Sequence, residues 1–202
     1  MTMRNRNLYF GLVAYTLIAI SGCAKPPDQA VSDVQAGIDA AKQAGAETYA
    51  AESLSKVQDL LGQAQAEIEA QNGKFALFRN YDKAEEVLGQ AKTAADTAQQ
   101  DAVAGKEQAR QDANAAIDSA KARLTAATDA VNAAPTGKDT RAEIEAMKSE
   151  VAALATTITE AESAAASEDY FGAKSQADGV AAKADQIAAD VAQAAEKVKG
   201  RR

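Results

Sequence analysis

The sequence predicts an all-α fold: an elongated, alanine-rich antiparallel helical bundle made of two tandem three-helix repeats that share one long helix. Three observations carry this. Past residue 23 alanine dominates, with Gln, Asp, Glu and Lys around it, which is the composition of long helices and coiled coils. Apolar residues recur at alternating spacings of three and four, the signature of one face of a helix. Glycine and proline break those stripes at a few corners, and the stretches between corners repeat. Few aromatics and many charges would also suit a disordered chain. A disordered chain has no use for such periodicity.

The chain opens with Arg4 and Arg6 and no acidic residue nearby. An apolar run, Leu8 to Ile20, follows. It is too short to span a bilayer, which takes about 20 apolar residues. A basic start and a short apolar stretch ending in small residues read as a secretory signal. Ile20-Ser21-Gly22-Cys23 resembles the bacterial lipobox, in which an aliphatic and two small residues precede a cysteine. That resemblance implies a diacylglycerol on the Cys23 thiol, cleavage before it and acylation of the new amino group. Residues 1–22 are then the lipoprotein signal peptide and 23–27 the lipidated tether. Cys23 is the only cysteine, so no disulfide can form within the chain. Several acyl chains anchor stably where one does not. Ala24 stands where an aspartate resembles an inner-membrane retention signal. Its absence implies an outer-membrane, periplasm-facing protein.

Pro26 and Pro27 make a short stiff tether. Asp28 suits the cap or first turn of a helix, where negative charge is favoured. The first stripe runs Val31, Val34, Ile38, Ala41 and breaks at Gly45. A second runs Leu54, Val57, Leu61, Ala64, Ile68, with Gln71 interrupting, and "QNGKF" at 71–75 reads as a stop with Asn72 and Gly73 as C-cap. The third begins at Tyr81 and continues Ala84, Leu88, Ala91, Ala95, Ala98, Ala102. It resumes as Ala113, Ile117, Ala120, Leu124, Ala127, Val131, with a phase slip between Gly105 and Ala113. The spacing allows one long helix or two with a bend. Gly89 and Gly105 each cost about 1 kcal/mol in a helix interior. "NAAPTGKDT" at 132–140 is a turn, with Asp139 or Thr140 as the next cap and Thr140 to Glu143 at capping-box spacing. The fourth stripe runs Ile144, Met147, Val151, Leu154, Ile158, Ala161, Ala165. After the corner "SEDYFG", the last runs from Ala173 to Val198.

"GIDAAK" at 37–42 matches "AIDSAK" at 116–121, and "NYDKAEEVLGQAKTAADTA" at 80–98 matches "DYFGAKSQADGVAAKADQIA" at 169–188 with one gap. The repeats are therefore set at 28–104 and 105–202, each reading helix, turn, helix, turn, helix. Alanine seams let helices approach closely but bury little area per residue. Six aromatics, Tyr49, Phe75, Phe78, Tyr81, Tyr170 and Phe171, fall at or near the corners. They are expected chiefly as plugs where alanine would leave voids. The alternative makes them a patch for a partner.

The pattern "AGAETYAAESLSKV…GKF…NYDKAEEVLGQAKTAA" resembles an alanine-rich domain of bacterial envelope lipoproteins that occurs alone or ahead of an OmpA-like wall-binding domain. The likeness covers about residues 28–104, and the second half reads as a diverged copy. The resemblance implies no particular activity.

The net charge is −7, and the body is two charges more negative because Arg4 and Arg6 belong to the leader. An acidic body argues against nucleic acid, which calls for a basic face, and against lying flat on an anionic bilayer. There is no histidine, and no cysteine beyond Cys23, so imidazole bases, thiol nucleophiles and His/Cys zinc sites are excluded. Glu67, Glu69, Glu85, Glu86, Asp139 and Glu143 read as a solvated face rather than a metal cage, because the stripes are apolar. The tail "EKVKGRR" reads as a helix end whose cations complement the dipole. The expectation is a non-enzymatic lipoprotein with no cofactor, no small-molecule substrate and no nucleic acid. It meets a membrane through its lipid and acts as spacer or scaffold. The alternative is an adaptor that takes a partner helix or envelope complex in a groove.

Overall fold

The computed structural model describes residues 25–135, 137 and 140–199. Six helices follow in order: α1 (Asp28–Gln43), α2 (Ala46–Tyr49), α3 (Ala51–Asn72), α4 (Asp82–Ala133), α5 (Arg141–Ala166) and α6 (Tyr170–Lys199). A 3-10 turn, Ala76–Phe78, lies between α3 and α4. No strand occurs among the described residues. The chain is all-α, as its periodicity predicts.

The question of one helix or two is answered by α4, which is continuous over 52 residues, roughly 78 Å at 1.5 Å per residue. The phase slip explains why it need not bend. From Ala84 to Ala109 the buried positions follow a seven-residue repeat, and from Ala113 to Val131 all but Ala116 follow the same repeat advanced by one residue. A strict seven-residue repeat drifts about 20° per heptad around a straight helix. The one-residue advance reverses that drift. Ala84, Ala102 and Ala120 lie whole turns apart, and every buried position of α4 falls within about 60° of their line. One side of the continuous helix is thus buried along its length.

Both bundles pack on that side. Val34, Ile38, Ala41, Leu54, Val57, Leu61 and Ala64 of α1 and α3 pack with α4 from Leu88 to Ala102. Ile144, Leu154 and Ile158 of α5, and Val180, Ile187 and Val191 of α6, pack with α4 from Ala109 to Val131. The two cores part between Ala102 and Ala109. The register follows from cross-helix pairs. Ser53 Oγ donates to Asp101 Oδ2 at 2.5 Å and Lys83 Nζ pairs with Glu67 at 3.0 Å, so α3 and α4 are antiparallel. Gly37 of α1 faces Ala95 so closely that an added Cβ would stand 2.9 Å from the alanine Cβ. α6 runs parallel to α4, since Lys106 pairs with Glu168 and Arg123 with Asp185 at the same sequence offset.

The corners differ from expectation in three places. Gly45 does not merely interrupt a stripe. Its φ of +92° starts the one-turn α2, which carries the chain across to α3. Such a φ is open to glycine without cost. Gly73 is the C-cap of α3 but keeps right-handed angles, φ −69°, so no left-handed cap forms. The Arg79 guanidinium satisfies the helix end instead, donating to the Asn72 and Lys74 carbonyls at 2.9 and 3.0 Å. Thr140 precedes α5 but makes no side-chain cap, so the expected box with Glu143 is absent. Its hydroxyl is buried and accepts the Gly137 N–H at 2.9 Å, fastening the turn rather than the helix. Asp139 lies outside the described residues.

Candidate functional site

Cys23 and its flanking Ile20, Ser21 and Gly22 lie outside the described residues. The six corner aromatics fall into two groups. Tyr49, Tyr170 and Phe171 meet at the waist between the bundles. Phe75, Phe78 and Tyr81 sit at the α3–α4 corner, at the end of the first bundle.

At the waist the α2 corner of one bundle abuts the α5–α6 corner of the other. The rings of Tyr49 and Phe171 stack with centroids 5.7 Å apart. The Tyr49 hydroxyl donates to the Glu168 carbonyl at 3.4 Å, and Lys106 Nζ reaches Glu168 Oε2 at 2.7 Å. That hydrogen bond, with the nearby carboxylate charge, raises the Lys106 pKa. Tyr170 is buried in the second core. Gly105 of α4 lies beneath this contact. A Cβ there would stand 2.6 Å from the Tyr49 carbonyl oxygen. Its role as a close-approach glycine requires a neighbour that the sequence places far away, so the helix pattern alone shows only its cost.

The α3–α4 corner is built differently. Gln71, the polar break in the second stripe, is buried. It donates to Glu67 at 2.8 Å and accepts the Asn80 N–H at 3.2 Å. The Gln71 amide, and then Lys83, hold the Glu67 carboxyl below its usual pKa. Tyr81 is buried, and its hydroxyl donates to Asn72 Oδ1. Asn80 Oδ1 accepts the Asp82 N–H at 2.7 Å and starts α4. Within this frame the 3-10 turn presents Phe75, Leu77 and Phe78 to solvent, at 70, 71 and 75% exposure. The two phenylalanine rings lie 6.3 Å apart.

Plugging thus describes Tyr81 and Tyr170, which occupy equivalent repeat positions and are both buried. It does not describe Phe75, Phe78 or Phe171, which are exposed. Leu77, an aliphatic residue beside the corner aromatics, joins the exposed group. It follows Phe75 by two residues, which in a 3-10 turn leaves it no stripe to join.

Among the described residues no three His, Cys, Asp or Glu side chains are grouped to hold a metal ion. No described helix is long and apolar enough to cross a membrane. An open groove between α4 and α5 is lined by Leu124, Thr128, Val131, Lys148, Val151 and Ala155. No family model, curated protein or solved structure matches the chain.

Proposed function

We propose that the chain is a lipid-anchored bacterial envelope protein that serves as a structural spacer or scaffold, held at the outer membrane by acyl chains on Cys23 and projecting into the periplasm. The observation that supports the spacer reading most directly is the unbroken α4, on which both bundles are threaded. A continuous helix transmits position along its whole length, whereas two bundles on a flexible linker would not. The lipobox-like Ile20-Ser21-Gly22-Cys23 supports the anchor. Two or three acyl chains there would give stable attachment without a spanning helix. Mass spectrometry of the native polypeptide should find residues 1–22 removed and Cys23 acylated. Cys23→Ala should move the protein out of the membrane fraction. An unmodified thiol with the leader retained would overturn the reading.

The groove between α4 and α5 favours a second reading, an adaptor that receives a partner helix. Its apolar floor from Leu124, Val131 and Val151 beside Thr128 and Lys148 is the mixed lining such grooves use. Photo-crosslinkers at Thr128 and Ala155 in cells separate the two. One stoichiometric crosslinked partner supports the adaptor, and none supports the spacer.

A further inference from the structure

The strongest unassigned feature is the α3–α4 corner. Its three large apolar side chains are displayed, not loosely trailing. Phe78 N–H donates to the Phe75 carbonyl at 2.8 Å, and Arg79 clamps the Asn72 and Lys74 carbonyls from beneath. A folded loop that keeps three such groups in water forgoes burial it could otherwise gain. Lys74 and Arg79 flank them, and no acidic residue occurs from Ala70 to Tyr81 in a chain of net charge −7. Apolar residues bracketed by cations, with aromatics at the tip, match the boundary between lipid headgroups and acyl chains.

The place of this corner names its occupant. α1 runs parallel to α4: Gly37 faces Ala95, and further along Gln43 and Ala44 line one cavity with Val103 and Lys106. Carrying that register back sets Asp28 beside the first turns of α4, about one turn, ~6 Å, inside the tip. The chain therefore leads off toward Cys23 from the same end that carries Phe75, Leu77 and Phe78. The residues between Cys23 and Asp28 reach about 15 Å when extended. A lipid at Cys23 and the apolar corner can thus meet one bilayer face together.

We propose that this corner is a membrane-contacting tip: Phe75, Leu77 and Phe78 enter the interface of the bilayer that holds the Cys23 lipids, with Lys74 at the level of the phosphates. The inference rests on the lipoprotein reading and adds to it. An acyl tether alone leaves the rod free to swing. A second contact beside it sets the rod's direction away from the bilayer.

The chain has no tryptophan, so Phe75→Trp installs a single reporter at the tip and Phe171→Trp a control at the waist. The native protein is placed on vesicles of phosphatidylethanolamine and phosphatidylglycerol. The tip reporter's emission should shift to the blue, lose access to aqueous iodide and be quenched by brominated acyl chains. The waist reporter should do none of these. If lipidated protein sits on the vesicles while the tip reporter stays in water, the tip proposal falls and the anchor stands. If the polypeptide carries no lipid yet the reporter still enters the bilayer, the tip stands and the anchor falls. A blue shift that grows with protein concentration without vesicles would assign the corner to a second copy and overturn the proposal.

Discussion

The α3–α4 and α5–α6 corners occupy the same place in the two repeats, yet one is an exposed apolar loop and the other a tight, covered turn. In the second, Glu168 takes a left-handed conformation, φ 65°. The Asp169 N–H returns to the Ala164 carbonyl and the Glu168 N–H to the Ala165 carbonyl, the pattern of a Schellman motif. Asp169 then caps α6 by accepting the Gly172 N–H at 3.0 Å. This corner lies against Tyr49 and Gly105, where a longer loop would collide with the first bundle. The first corner stands at the end of the first bundle away from the waist, where among the described residues no second bundle packs on it, and there the loop is longer and carries Phe75, Leu77 and Phe78. A repeated helical frame therefore fixes the buried tyrosine at both corners, while the surroundings decide what else the corner can hold.

The largest expected effect contrasts the buried tyrosine with the exposed phenylalanines. Tyr170→Ala should cost about 3 kcal/mol in urea unfolding, because it empties a packed core position. Phe75→Ser and Phe78→Ser should each stay within about 0.5 kcal/mol of the parent. Equal losses would mean that the tip is packed.

Next come two glycines of the same helix. Gly105→Ala gains about 1 kcal/mol of helix propensity but pushes a Cβ into the Tyr49 backbone, at a cost of about 1–3 kcal/mol. A net loss of about 1 kcal/mol is expected, and it should disappear if the waist contact does not exist. At Gly89 nothing lies within 4 Å of an added Cβ, so Gly89→Ala should stabilise by about 0.5–1 kcal/mol. Opposite signs in thermal unfolding test the waist directly.

A smaller effect is expected at Glu168. Replacement by glycine relieves a left-handed side chain, worth about 1–2 kcal/mol, and forfeits an exposed ion pair with Lys106 that solvent screens to little. A net gain of roughly 0.5 kcal/mol should appear in thermal unfolding. A clear loss would show that the ion pair dominates the corner.

The smallest effect is on pH dependence. Arg110, and then Gln111, hold the Glu107 carboxyl down to about 2, well below the usual glutamate range. A depressed carboxylate contributes stability above its unfolded pKa and loses it as pH falls through the folded one. Melting temperature should therefore drop between about pH 5 and pH 2, and drop less in Glu107→Gln. Parallel curves for parent and variant would remove this contribution.

Much of the fold was legible because helix burial has a fixed period. Val34 and Ile38, or Val180 and Ile187, face the core where their spacing says they must. The caps were less legible. The hydroxyl of Thr140 serves the turn, and Arg79 does the work assigned to Gly73, because several donors compete for each helix end and local spacing does not rank them. Among the aromatics the sequence placed all six near corners. It gave no way to separate buried Tyr81 from exposed Phe78, since exposure depends on whether another bundle lies beyond the corner.

By itself the sequence determined the helices, their buried faces and the repeat, because these follow from side-chain size and a period of 3.6 residues along one segment. Only the tertiary structure decided that α4 runs unbroken through both bundles, that Gly105 yields room to Tyr49, and that Phe75, Leu77 and Phe78 stand together in water at the α3–α4 corner. Those facts depend on which segments meet across tens of residues, and contacts of that range are set by packing, not by local pattern.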